Sequence, residues 1–170
     1  YKTKNEVFIF AGSGSLAMES AISSTLSMND EVLICHNGFW GERLHEICKS
    51  WKLKINVLKC AFNKPISPDE VDKKLRDNNK IKLVLIVHVE TSTGLSNPIR
   101  EIGKIIKKHN ALFFVDSIAG VGGSNICTDK WNIDFVVTSS QKCLAAPAGL
   151  GLMSVSKKAL KIIKKKSVKN

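Results

Sequence analysis

The chain has 170 residues, of which 44% are hydrophobic and 24% charged, the length of one domain with enough apolar material for a core. Its net charge of +11 is concentrated at one end: 157–170 holds seven lysines and no acid, so +11 less those seven leaves a body of only +4. A solvated terminal helix accounts for that run, so no nucleic-acid partner is expected; no apolar run reaches the roughly 20 residues that span a bilayer, so no membrane partner is expected either.

Short runs rich in Val, Ile, Leu and Phe alternate with stretches of helical period. The first predicted strand, 7–10, ends in Ala11-Gly12-Ser13-Gly14-Ser15, and the amphipathic LAMESAISSTLS follows. A second strand, 31–36, leads through Asn37-Gly38-Phe39-Trp40-Gly41 into GERLHEICKSWK. After a third strand, 55–60, Ser67-Pro68-Asp69-Glu70 predicts a helix start: Ser67 caps, Pro68 suits the first helical position and Glu70 completes a capping box. The strand at 82–89 ends in Glu90-Thr91-Ser92-Thr93-Gly94, and Pro98 precedes IREIGKIIKKHN, whose last turn sets Lys107, Lys108 and His109 against the helix dipole. Strand 111–116 ends in Asp116-Ser117, and strand 134–138 leads into Ser139-Ser140-Gln141-Lys142. The seventh strand, 149–156, follows without an intervening helix and is therefore expected to run antiparallel to the others. The pattern predicts an α/β fold: a three-layer α/β/α domain around a mostly parallel seven-stranded sheet with one antiparallel strand.

Five cysteines form an odd set with no C-x-x-C pair, and the four histidines lack metal-binding spacing, so they read as reduced thiols with no metal centre. A cytoplasmic protein is expected. An organellar location, such as peroxisome or mitochondrion, is left open because the first residue is Tyr1 rather than Met.

In such sheets ligands bind beyond the carboxyl ends of the strands, so five of these loops should meet on one edge. Each has a plain structural reading when taken alone. Gly12-Ser13-Gly14-Ser15 connects a strand to a helix, or binds an anion at the helix N-terminus. With Ala17 it also matches the dinucleotide pattern G-x-G-x-x-A, but the acidic residue which that pattern needs at the end of the second strand is replaced by Cys35-His36. Asp116 could cap a turn, hold a cation or face a ligand; Trp40 could pack in a core; Thr91 and Gln141 could be turn residues; Lys142 could be a surface lysine. One ligand would use them all. Pyridoxal 5'-phosphate needs an anion turn, a stacking aromatic, a carboxylate at its ring nitrogen, a hydroxyl near its phenolic oxygen and a lysine for its aldehyde. That lysine would be desolvated enough to be neutral part of the time.

The runs GSGSLAMESA (12–21), NGFWG (37–41), ETSTG (90–94), VDS (115–117) and SQKCLAAPAG (140–149) resemble the class V pyridoxal-phosphate aminotransferases, in particular the alanine–glyoxylate and serine–pyruvate branch. The resemblance implies the large domain of a fold type I transferase over 1–156, with 157–170 a basic helix leading towards a C-terminal small domain that is absent here. It also implies roles: Lys142 the Schiff-base lysine and proton shuttle, Asp116 the partner of the pyridinium nitrogen, Trp40 the stacking ring and Thr91 the hydroxyl near the phenolic oxygen. Ser13, Gly14, Ser15 and Gln141 match phosphate contacts, although Ser15 departs from relatives with histidine or threonine there.

The implied reaction moves an amino group from alanine or serine to a 2-oxo acid such as glyoxylate or pyruvate, in a homodimer. None of Arg43, Arg76 or Arg100 lies in the motif that binds the substrate carboxylate, so this piece alone is expected to transaminate weakly or not at all. The alternatives are an aminoethylphosphonate transaminase, a cysteine desulfurase-like enzyme, and a nucleotide-binding α/β domain that uses no pyridoxal phosphate.

Overall fold

The computed structural model describes residues 1–167. Seven strands form one sheet: β1 (Glu6–Ala11), β2 (Glu31–His36), β3 (Lys54–Lys59), β4 (Ile81–Val87), β7 (Leu112–Asp116), β8 (Phe135–Ser139) and β9 (Leu150–Val155). A two-residue ribbon, β5 (Val89–Glu90) with β6 (Leu95–Ser96), stands beside it. The sheet order is β1-β9-β8-β7-β4-β2-β3. β9 runs antiparallel to both of its neighbours, and the remaining pairs are parallel, as the sequence pattern predicts. The predicted strand at 82–89 is the exception in detail, because it breaks at His88 into β4 and β5.

Strand periodicity explains the two cores. Residues two apart share a face. Leu83 and Leu85 of β4, Leu112 and Phe114 of β7, and Phe135 and Val137 of β8 pack against α1 (Gly14–Thr25), α2 (Phe39–Ser50) and α5 (Lys157–Ser167). The intervening Val84, Ile86, Phe113, Val115 and Val136 pack against α3 (Pro68–Asp77) and α4 (Ile99–Ile106). The central strands are therefore apolar on both faces, which is why they read as continuous hydrophobic runs. Phe113, Phe114 and Phe135 are fully buried; truncating any one to Ala removes about 3–5 kcal/mol.

The helices differ from expectation mainly at their ends. α1 and α2 begin two residues earlier than their apolar patterns, so Trp40 lies in the first turn of α2 rather than in a preceding loop. Ser67 caps α3 by accepting the Glu70 N–H at 3.4 Å, but the Glu70 carboxylate faces the Cys60 thiol, 4.0 Å away, instead of closing the box. α4 stops at Ile106, so Lys107, Lys108 and His109 follow the helix rather than forming its last turn. The His109 ring lies 2.8 Å from the carboxylate of Asp72 in α3. The basic C-terminal helix runs to Ser167, and 168–170 lie outside the described residues. No helix among the described residues is long and apolar enough to cross a membrane.

Candidate active site

Register sets the site before any side chain is considered. Leu112, Phe114 and Asp116 alternate onto the same face of β7, the one covered by α1 and α2. The strand therefore delivers Asp116 to the carboxyl edge on the side where both helices present their N-termini. There a cleft with roughly 620 Å³ of free space, including its open mouth, is lined by all eight predicted residues: Ser13, Gly14, Ser15, Trp40, Thr91, Asp116, Gln141 and Lys142. Val87, Val89, Ile118, Ala119 and Ser139 complete its walls; of these Ser139 lies in a loop that the sequence placed at this edge, but none was among the predicted site residues.

The glycine-serine turn is built for close approach. Ser13 caps α1, its hydroxyl accepting the Leu16 N–H at 3.3 Å. Gly14 and Ser15 head the helix, where backbone N–H groups have no intrahelical acceptor and the dipole favours an anion. A Cβ on Gly14 would lie 2.6 Å from Ile118 Cδ1 and 3.2 Å from Ser139 Cβ, so a side chain would crowd this wall. The buried Ser139 hydroxyl has no hydrogen-bond partner among the described residues.

Asp116 is 3% exposed and forms no ion pair among the described residues. Burial raises its carboxyl to about 6; the Ile118 N–H, donating to Oδ1 at 2.9 Å, pulls the other way, the charge of Glu90 adds to the rise and that of Lys142 opposes it. A buried carboxylate with one hydrogen bond and no cation is suited to a protonated ring nitrogen. The Trp40 indole N–H donates to the Thr91 hydroxyl at 2.9 Å, holding the ring at the cleft wall.

Lys142 departs from expectation in one respect. It lines the cleft but is solvent-exposed, as is the whole stretch 141–150, so this chain does not by itself supply the desolvation predicted for its amine. Its turn is nonetheless fixed. The Ser140 hydroxyl donates to the Pro147 carbonyl at 2.6 Å and accepts the Leu150 N–H at 3.2 Å, and the Ala145 N–H closes on the Lys142 carbonyl at 2.9 Å.

The donor set fits pyridoxal 5'-phosphate. A helix N-terminus, an indole, a buried carboxylate, a hydroxyl and a primary amine line one cleft. Sequence reasoning missed Glu90, a wholly buried acid beside this cleft. The available signal was its position at the end of an apolar strand, where an unpaired carboxylate needs a reason.

The family model described as Aminotransferase class-V matches residues 2–168. An uncharacterized aminotransferase of Methanocaldococcus jannaschii is 44% identical over 96% of this chain, which spans 42% of that protein. A bifunctional phosphonoacetaldehyde hydrolase/aminoethylphosphonate transaminase of Clostridioides difficile is 36% identical over 89% of the chain and 24% of its own length. Among solved structures, the ureidoglycine–glyoxylate aminotransferase of Bacillus subtilis superimposes with a TM-score of 0.94 at 29% identity, over 98% of this chain and 43% of that one. The chain thus spans less than half the length of these relatives. Motifs, sheet order and the family match over nearly every residue agree, and this protein belongs to the class V aminotransferases.

Proposed function

We propose that these residues are the cofactor-binding large domain of a longer pyridoxal-phosphate-dependent transaminase, which moves an amino group from alanine or serine to glyoxylate or pyruvate. The carrying observation is the convergence of Lys142, Asp116 and the α1 N-terminus on one cleft. Ser13, Gly14, Ser15 and Gln141 would hold the phosphate, Trp40 the ring face, Thr91 the phenolic oxygen and Asp116 the ring nitrogen. When bound, the cofactor supplies a ring that stabilises negative charge at the substrate α-carbon. Lys142 would hold the cofactor through its aldehyde and, once the amino acid has displaced it there, would take the proton from the substrate α-carbon and deliver it to the cofactor carbon that had carried the aldehyde. Asp116 would keep a proton on the ring nitrogen, and the indole would exclude water from one ring face.

The exposed turn at 141–150 and the exposed apolar residues Val7, Phe8 and Ile9 of β1 support a reading in which further protein, from the rest of the chain or a second subunit, covers this domain. Borohydride reduction of the complete protein after incubation with pyridoxal 5'-phosphate is the test. A pyridoxyl group on the peptide containing Lys142 is expected; labelling of other lysines only, or of none, overturns the reading. A donor panel of alanine, serine and 2-aminoethylphosphonate then separates the proposed substrates from those named for the Clostridioides difficile relative.

A further inference from the structure

Glu90 is a buried acid with no basic partner among the described residues. Such a group persists only where hydrogen bonds replace its hydration. Here four donors do so. Oε2 accepts the Trp40 N–H at 3.1 Å and the Gly41 N–H at 3.2 Å, while Oε1 accepts the Ser92 N–H at 3.2 Å and the Ser92 hydroxyl at 2.6 Å. Two of these are first-turn N–H groups of α2, which lack intrahelical acceptors. The N-cap of α2 is Gly38, which has no side chain to satisfy them. A Cβ there would collide with the Glu90 side chain and lie 2.6 Å from the Ser92 hydroxyl, so the local cap is absent where the distant one enters.

The consequence concerns Trp40. Its backbone is held by Glu90 and its indole N–H by the adjacent Thr91, so two consecutive residues fix both ends of one side chain. We infer that Glu90 is a positioning residue, which caps α2 from fifty residues away and so sets the indole plane against which the cofactor ring stacks. This rests on the cofactor reading above. Glu90 touches no reacting atom in that reading; it acts through Trp40.

The test separates reach from charge in the complete protein. Pyridoxamine 5'-phosphate is the probe, because it has no aldehyde and binds without a covalent link to Lys142. Glu90→Asp keeps the charge but withdraws the carboxylate by about 1.5 Å, beyond the α2 N–H groups. Glu90→Gln keeps the reach and loses the charge: its oxygen can still accept the Trp40 and Gly41 N–H groups, while its NH2 turns to the Ser92 hydroxyl and leaves the exposed Ser92 N–H to solvent. The probe's dissociation constant should rise about tenfold in Glu90→Asp, with loss of its induced circular dichroism, and stay within about threefold of wild type in Glu90→Gln.

The reverse order, or an unchanged Glu90→Asp protein, overturns the inference alone. A wild-type enzyme that does not bind the probe overturns the cofactor reading and this inference together. Should Glu90→Asp fail to fold, Ser92→Ala removes, at an exposed position, both the hydroxyl bond to Oε1 and the acceptor of the Phe39 N–H at the same end of α2; it should raise the dissociation constant about threefold, and no change would overturn the positioning role.

Discussion

The Thr91 hydroxyl accepts the indole N–H of Trp40 at 2.9 Å, which joins the first turn of α2 to the loop beyond β5. Accepting with its oxygen leaves the Thr91 proton free to donate towards a ligand in the cleft. Replacing Thr91 with Val keeps the shape and removes both functions. Cofactor affinity should fall about tenfold, whereas Thr91→Ser stays within about threefold of wild type, as read by absorbance titration. Equal affinities for the Val and Ser variants would show that the hydroxyl is idle.

Lys142 is exposed, and its turn is closed by Ser140, Ala145 and Leu150 rather than by its own side chain. Lys142→Arg should therefore leave the melting temperature nearly unchanged. Turnover by the complete protein should nevertheless fall by roughly a thousandfold or more, because a guanidinium neither links to an aldehyde nor shuttles a proton near neutral pH. Steady-state rates beside thermal melts provide the check; a large drop in both would point to a structural role.

Asp116 gives a pH dependence of defined sign. Burial raises its carboxyl from 3.8 to about 6 in the folded chain. Between those values the folded state binds the proton more tightly than the unfolded state, so stability falls as pH rises through the window and stays lower above it, by about 3 kcal/mol. Asp116→Asn keeps an acceptor for the Ile118 N–H and removes that slope. Urea melts from pH 4 to 8 should show the variant gaining on wild type only above about pH 4, while binding cofactor more weakly. The Asp134 carboxyl, also raised by burial, cancels in the difference. A pH-independent difference would contradict this assignment.

Asn97 and Asn37, both buried, exchange side-chain hydrogen bonds at 3.1 and 3.2 Å. The Asn97 side chain also accepts the Ile66 N–H at 2.9 Å and donates to the Val87 carbonyl at 2.8 Å, tying together three segments near the carboxyl edge. Asn97→Ala removes this partner from the Ile66 N–H, the Val87 carbonyl and the Asn37 side-chain oxygen, while the Asn37 amide nitrogen keeps its bond to the Lys64 carbonyl at 2.8 Å. It should destabilise the fold by about 3 kcal/mol in denaturant unfolding, while Asn37→Ala costs less because fewer groups are orphaned.

The sequence by itself determined the seven strands of the main sheet, the α/β class, the single antiparallel strand and the loops that meet at one sheet edge, while the family resemblance of those loops supplied the eight residues that line the cleft. The strands and loops follow from short-range rules: apolar periodicity distinguishes strand from helix, and parallel strands carry their functional loops at one end. Only the tertiary structure decided that β1 lies at the sheet edge beside β9, that Glu90 caps α2, that Asn37 meets Asn97 and that Lys142 is exposed. The side-chain pairings join residues fifty or sixty positions apart. No local pattern encodes them, because a carboxylate or amide is paired by whichever donors the folded backbone brings to it.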